Sequence, residues 1–252
     1  MKWVLLQMDI ASHDVKANMA TAERLISLRP DADVYIFPEM WATGFVTAPT
    51  QETVVAGETA LCWMKQTAVK YHCCLGGSLA VSVEGLFYNR FYWVDEQGNV
   101  HFYDKRHLFA PGGEGESYQQ GKERVIVKWR QVRILLQVCY DLRFPVFARN
   151  REDYDVMVCV ASWPAVRAEV WNLLLRARAV ENQCYVVGVN RVGRDSQLSY
   201  AGGSLVVDAK GRVLADGSDK ESVVEIDMDM DELTAFRCKF PVLKDRDHFT
   251  LL

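Results

Sequence analysis

The sequence lacks the features that would place it in a membrane, in a disulfide scaffold or on a nucleic acid. No stretch reaches the roughly 18–20 consecutive apolar residues that cross a bilayer. The seven cysteines include no CxxC pair and the five histidines no HxxxH or HxH pair, so we expect neither a disulfide framework nor a bound metal. The net charge of −4, without a basic stripe, argues against a nucleic-acid partner.

The chain also lacks a low-complexity segment, an internal repeat and a linker. A short apolar run follows Lys2, but Asp9 and Asp14 interrupt what comes next, which does not fit a secretion signal. A chain of 252 residues, half of them hydrophobic, is large enough to bury a core without disulfides or a structural metal. We therefore expect one domain over residues 1–252, located in the cytoplasm.

Short apolar runs rich in β-branched and aromatic residues recur along the chain. Turn formers such as Gly98 and Gly211 separate many of them. Such runs predict strands that are buried on at least one face. They occupy residues 3–6, 34–37, 75–81, 91–94, 125–127, 132–138, 156–161, 185–189 and 205–207.

Three stretches have the apolar spacing of helices that cover a core. The first spans 15–28, with Asp14 as a candidate N-cap and Pro30 as its stop. The others span 58–71 and about 169–182. Strands and helices alternate towards both ends of the chain, whereas consecutive strands fill its middle. This order favours an α/β domain of mixed sheets covered by helices.

Two charged motifs lie beside apolar runs. The segment FPEMW (37–41) places Glu39 at a strand end, where α/β proteins build their sites. A solvated glutamate at a strand terminus is the alternative. In YDKRHLF (103–109), Lys105 and two further basic residues stand between apolar neighbours. A charged sheet edge or turn would show the same pattern.

The segment LLQVCYDLRFP (135–145) predicts a strand that turns sharply into a helix. Helix N–H groups near Cys139 would lower the pKa of its thiol from about 8.5 towards neutrality. The backbone N–H of Tyr140 is placed to donate to a developing oxyanion. The alternative is a small core residue closing a strand. Farther on, ASWP (161–164) also follows a strand, and Trp163 there is either a pocket wall or core.

The order Glu, Lys, Cys, with each residue near a strand end, is more specific than any single motif. These segments together resemble the carbon-nitrogen hydrolase, or nitrilase, superfamily, whose catalytic triad matches Glu39, Lys105 and Cys139. Glu114, after PGG (111–113), matches the second glutamate that the family holds beside its lysine. The resemblance covers nearly the whole chain. Within the superfamily, the segments FPEMWATGF (37–45) and CYDLRFP (139–145) most resemble those of the ω-amidases.

The resemblance implies a four-layer α-β-β-α sandwich that forms a homodimer through helices. It implies an amidohydrolase, without a cofactor, that acts on linear amides such as 2-oxoglutaramate and 2-oxosuccinamate. Cys139 would form a thioester, with Glu39 as the general base and Lys105 and the Tyr140 N–H as oxyanion donors. Glu114 would hold Lys105 in place and keep it charged.

Substrate binding is the least constrained part of this hypothesis. Arg143 is a candidate for gripping a substrate carboxylate, unless it forms a structural ion pair with Asp141. Trp163 and Arg167 match pocket-lining positions of the family. Two other functions stay open: another carbon-nitrogen hydrolase, such as an N-carbamoyl or short aliphatic amidase, and a non-catalytic binding protein on the same fold.

Overall fold

The computed structural model describes residues 1–250, which include fourteen strands and five α-helices. All nine apolar runs named from the sequence fall on strands, with ends that differ by a few residues. The strands are Lys2–Gln7 (β1), Val34–Ile36 (β2), Cys74–Val83 (β3), Leu86–Val94 (β4), Val100–Asp104 (β5), Ile126–Trp129 (β6), Val132–Val138 (β7), Val156–Ala161 (β8), Tyr185–Asn190 (β9), Val192–Arg194 (β10), Ser199–Ala201 (β11), Leu205–Val207 (β12), Val213–Asp216 (β13) and Ser222–Asp227 (β14).

Three of the five helices begin at side chains that cap their free N–H groups, and one begins at a proline. Asp14 accepts a hydrogen bond from the Ala17 N–H at the start of the first helix, as the sequence predicts. Thr50 caps the second helix, which therefore begins seven residues before the predicted 58. The helices are Val15–Ser27 (α1), Gln51–Tyr71 (α2), Pro145–Ala148 (α3), Ala168–Asn182 (α4) and Met230–Lys239 (α5).

Two six-stranded mixed sheets form the framework, and β10 and β11 make a separate hairpin. The first sheet has the order β14-β1-β2-β3-β4-β5, and the second β13-β12-β9-β8-β7-β6. The central strands β1, β2 and β3 are parallel, as are β7, β8 and β9. Parallel strands buried on both faces require continuous apolar sequence, which is what the runs in the chain supply.

The layers follow from the alternation of side chains along the strands. In β1, Trp3 and Leu5 point into a core shared by the two sheets, whereas Val4 and Leu6 point to a second core beneath α1 and α2. A third core lies between the second sheet and α4, around Trp171. The chain is thus an α/β protein, as its apolar runs predict, with the four-layer α-β-β-α sandwich that the family resemblance implies. No helix within residues 1–250 is long and apolar enough to span a bilayer.

Candidate active site

The candidate residues lie just beyond strand ends, at one edge of the sandwich. Lys105 directly follows β5, Cys139 directly follows β7, and Glu39 comes three residues after β2 ends at Ile36. β2 and β5 run in the same direction in the first sheet, because β3, β4 and β5 alternate. Their ends therefore meet the end of β7 from the facing sheet, and all three side chains line one pocket.

Lys105 lies between two carboxylates in the interior. Its Nζ is 2.8 Å from Glu39 Oε1 and 2.8 Å from Glu114 Oε2, and all three residues are fully buried. Burial alone would lower the pKa of the Lys105 ammonium, but the charges of Glu114 and then Glu39 outweigh it and hold that pKa well above its usual range. Lys105 is therefore a fixed positive charge beside Cys139.

Two residues that the sequence reasoning missed complete this charge cluster. Asn89, in β4, donates one amide hydrogen to Glu39 Oε1 at 2.8 Å and one to Glu114 Oε1 at 3.0 Å. The Ser162 N–H donates to the other Glu39 oxygen at 2.9 Å. A polar residue inside an apolar strand was the signal for Asn89, because a buried amide needs partners. Ser162 belongs to a segment singled out for Trp163 instead.

Cys139 adopts a backbone conformation that is uncommon for a residue with a side chain. Its φ is 47°, in the left-handed region, and Met40, next to Glu39, has a φ of 45°. Such strained positions cluster at functional sites, where the surrounding structure over-determines them. Here the turn directs the Cys139 thiol into the pocket that Glu39 and Lys105 share.

The prediction of a lowered thiol pKa is wrong for the free protein. Burial raises the pKa of the Cys139 thiol well above its usual range, the Glu39 charge raises it further, and Lys105 opposes both. The chain after Cys139 is a short 3₁₀ turn, Cys139–Arg143, before the four-residue α3. A long helix dipole is thus absent at this point, and the thiol rests protonated beside a carboxylate.

The pocket contains about 420 Å³ of free space, part of it open to solvent, and its wall is largely apolar. Tyr140 and Trp163 lie in its lining, so Trp163, which is also packed against Trp171, is both a pocket wall and part of the core. The hairpin residue Tyr200 and the preceding Leu198 close another side. The residues around the cavity are Glu39, Phe45, Lys105, Phe109, Cys139, Tyr140, Arg143, Ser162, Trp163, Pro164, Arg167, Leu198 and Tyr200.

Two arginines face this cavity without an acidic partner among residues 1–250. The Arg143 guanidinium lies 5.0 Å from the Trp163 ring centroid, and that of Arg167 lies 5.4 Å from the Phe109 ring centroid. The alternative of an Arg143–Asp141 ion pair is wrong, because Asp141 is occupied by other donors. Aromatic stacking holds each guanidinium while its N–H groups stay available to an anion.

This arrangement suits acyl transfer from an amide. It combines a thiol, a carboxylate able to move its proton, and a fixed ammonium where negative charge would develop. Within the described residues, no group of three or more His, Cys, Asp or Glu side chains is placed to hold a metal ion. The fold and the pocket together indicate the class of hydrolases that use a cysteine thiol.

The comparisons with known proteins identify the family. The carbon-nitrogen hydrolase family model matches residues 5–237, and the chain belongs to this family, which is the nitrilase superfamily of the sequence resemblance. The chain is 41% identical to omega-amidase YafV of Yersinia enterocolitica, with 100% of this chain and 99% of the relative covered. It is 36% identical to 2-oxoglutaramate amidase of Bacillus subtilis, with 97% and 98% covered.

A solved structure has the same fold. The protein XC1258 of Xanthomonas campestris, a CN-hydrolase superfamily protein with an arsenic adduct in its active site, superposes with a TM-score of 0.94 at 38% identity. The alignment covers 100% of this chain and 99% of that one. The chain is therefore an amidohydrolase that acts on carbon-nitrogen bonds, as the sequence predicts.

Proposed function

We propose that this enzyme hydrolyses the terminal amide of a small carboxylate-bearing molecule of the 2-oxoglutaramate or 2-oxosuccinamate type and releases ammonia. The relatives in Yersinia enterocolitica and Bacillus subtilis carry the names omega-amidase and 2-oxoglutaramate amidase, which supports this substrate class. The observation that carries the proposal is that two guanidinium groups in the pocket of Cys139, those of Arg143 and Arg167, have no acidic partner in the part of the chain that the structure describes.

In the first step Cys139 is the nucleophile and Glu39 the general base. The thiol is protonated at rest, so it attacks the amide carbon as Glu39 takes its proton. The carbon–nitrogen bond of the tetrahedral intermediate then breaks as Glu39 returns the proton to nitrogen. Ammonia leaves and a thioester to Cys139 remains. A water deprotonated by Glu39 hydrolyses the thioester to a carboxylic acid and the free thiol.

Lys105 is the electrostatic partner of the tetrahedral oxyanion, together with the backbone N–H of Tyr140. An ammonium held in a dry site stabilises developing charge without reorganising solvent, and one such donor typically contributes about 10²–10³ in rate. Glu114 supports this role because it holds the ammonium with both of its carboxylate oxygens. Glu114 is thus a positioning residue for Lys105.

Arg143 binds the carboxylate of the substrate, and Arg167 with Trp163 lines the same end of the pocket. A charge-assisted hydrogen bond contributes about 1.5–3 kcal/mol, which is about 10–150-fold in kcat/KM for an acidic amide over a neutral one of equal length. An acidic side chain bound to either guanidinium would have argued against this, and residues 1–250 supply none.

The test is an ammonia-release assay with 2-oxoglutaramate, succinamate, glutamine, pentanamide and a simple nitrile. We expect 2-oxoglutaramate to exceed pentanamide at least tenfold in kcat/KM, and Cys139→Ala to abolish turnover. Cys184→Ala is the matched control, because Cys184 is buried but lies outside the pocket. Equal kcat/KM for both amides would exclude the carboxylate substrate class, and turnover by Cys139→Ala would exclude the nucleophile.

The same assay, with an N-carbamoyl amino acid added to the panel, separates the remaining functions. Preference for pentanamide would favour a short aliphatic amidase, and release of ammonia only from N-carbamoyl compounds would favour an N-carbamoyl amidase. No turnover of any amide, with iodoacetamide failing to label Cys139, would favour a non-catalytic binding protein.

We also propose that two copies associate through α4. Leu173 and Val180 on α4, and Val166 in the 3₁₀ turn just before it, recur at seven-residue spacing and are 67%, 51% and 83% exposed. An apolar stripe of this kind on a helix supports packing against the same helix of a second copy. Sedimentation of the wild type and of Leu173→Glu tests this, with a monomer expected only for the variant.

Two further proposals concern the whole chain. The family match over residues 5–237 supports one catalytic domain for residues 1–252. All seven cysteines, which lie within residues 1–250, are free thiols, which supports a reducing compartment such as the cytoplasm.

A further inference from the structure

Asp141, two residues after the nucleophile, is a fully buried carboxylate that lines no part of the catalytic pocket. It nevertheless accepts four hydrogen bonds from two segments far apart in the sequence. Its Oδ2 accepts from the Val138 N–H at 3.0 Å and from the Tyr103 hydroxyl at 2.8 Å. Its Oδ1 accepts from the His107 N–H at 2.9 Å and lies 2.8 Å from His107 Nδ1.

These donors flank the two catalytic groups. Val138 directly precedes Cys139, whereas Tyr103 and His107 lie on either side of Lys105. The carboxylate therefore ties the turn that carries the thiol to the segment that carries the ammonium. Hydrogen bonds to an ionised acceptor are shorter and about twice as strong as neutral ones, so this link is stiff.

Further contacts hold two of the residues that donate to Asp141, His107 and Tyr103. The His107 ring stacks on Phe144, with centroids 3.9 Å apart and planes inclined by 6°. The Tyr103 hydroxyl also accepts a hydrogen bond from the Arg106 N–H at 3.0 Å. The left-handed backbone of Cys139 needs such support, because its conformation is unfavourable by itself.

We propose that Asp141 is a positioning residue that sets the distance between the Cys139 thiol and the Lys105 ammonium through Val138, Tyr103 and His107. The inference rests on the proposed hydrolase mechanism, in which the thiol and the oxyanion donor act on one carbonyl group. A misplacement of about 1 Å costs on the order of 10² in rate. Loss of the link therefore lowers kcat and leaves KM nearly unchanged.

The experiment compares Asp141→Asn with the wild type on the best substrate found above. The fraction of competent sites is counted first from the thioester that forms on Cys139 in a quenched single turnover with radiolabelled substrate, because misfolded protein does not form it and the exposed Cys62 and Cys238 do not contribute. An asparagine presents one acceptor oxygen and two amide hydrogens to donors that need two acceptors. We expect kcat per competent site to fall about 100-fold, KM to change less than threefold, and the alkylation rate of Cys139 to fall as well.

Asp208→Asn is the matched control. Asp208 is also a buried carboxylate that accepts from two backbone N–H groups, those of Lys210 and Arg212, but it lies outside the catalytic pocket. Its variant loses comparable hydrogen bonds, and we expect its kcat per competent site to stay within twofold of the wild type. A purely structural Asp141 would behave in the same way as Asp208.

If Asp141→Asn does not fold, the variant Tyr103→Phe tests the same proposal. It removes one hydrogen bond of the link and preserves the ring. We expect a fall of about 3–10-fold in kcat per competent site at unchanged KM. A kcat per competent site equal to that of the wild type in the folded variants would overturn the role of Asp141. An inactive wild type would instead contradict the proposed function itself, so the two failures are distinguishable.

Discussion

Glu114 places both of its carboxylate oxygens around the Lys105 ammonium, at 2.8 and 3.1 Å from Nζ. Glu39 contacts the same ammonium through one oxygen only, because its other oxygen accepts the Ser162 N–H. The two glutamates are therefore not equivalent. In the proposed mechanism, Glu114 holds the charge of Lys105, which leaves Glu39 free to exchange a proton with the neighbouring thiol.

Replacement of Glu114 with Gln should lower kcat about 10–100-fold with little change in KM. The amide has the same shape but no charge, so Lys105 shifts towards Glu39 and weakens it as a base. Steady-state ammonia release measures this effect. Glu116→Gln is the control, since Glu116 is exposed in the same turn. A kcat for Glu114→Gln equal to that of the control would contradict the role given to Glu114.

Glu39 and Cys139 were predictable from the sequence because each lies close to the end of an apolar run, whereas Lys105 was predictable from the basic motif YDKRHLF (103–109) and the family resemblance. Asn89 and Asp141 were not predicted as parts of the site, since their importance depends on partners in other strands. Strand β5 and helix α5 were missed as well. Two of the five residues of β5, His101 and Asp104, are polar or charged, and α5 buries only Leu233 among its residues. Neither carries the apolar periodicity on which sequence reasoning depends.

Arg143→Ala should raise KM for 2-oxoglutaramate about 10–150-fold and leave pentanamide nearly unaffected. The expected loss is that of one charge-assisted hydrogen bond to a carboxylate. Arg151→Ala is a suitable control, because Arg151 also stacks on an aromatic ring, that of Phe249, but lies outside the pocket. An equal loss on both amides would show that Arg143 supports the pocket rather than the carboxylate.

Gly57 lies just before residue 58, where the sequence predicts that α2 begins. The variant Gly57→Ala tests why the helix carries a glycine there. Gly57 lies inside this helix, where a Cβ atom would sit 2.3 Å from the Ala80 carbonyl oxygen in β3. Alanine normally stabilises a helix relative to glycine by about 0.5–1 kcal/mol. Here the backbone contact reverses the sign, and we expect a loss of about 1–3 kcal/mol in the free energy of unfolding.

Urea unfolding measures that loss, with Glu58→Ala as the control at the next, exposed position. The control should change the free energy of unfolding by less than about 0.5 kcal/mol. A more stable Gly57→Ala protein would mean that α2 and β3 are free to separate. The close approach of the helix to the sheet would then not explain the glycine.

Ionisation of the buried Cys73 thiol should lower the free energy of unfolding in alkaline solution. Burial, assisted by the charge of Glu96, raises the pKa of its thiol to about 12, whereas the unfolded chain has a cysteine pKa of about 8.5. The folded state therefore keeps a proton that the unfolded state releases. The stabilisation from this group is complete below about pH 8.5 and is lost as pH rises towards 12, by about 1.4 kcal/mol per pH unit in between.

Cys73→Ala removes this titration and should flatten the decline. The variant is less stable than the wild type at pH 8, because it loses packing, but the difference should shrink by about 2 kcal/mol at pH 10. Urea unfolding under reducing conditions at both pH values gives the comparison, and Cys62→Ala is the control because Cys62 is exposed. Parallel stability curves for Cys73→Ala and the wild type would mean that the Cys73 thiol ionises equally in the folded and unfolded states.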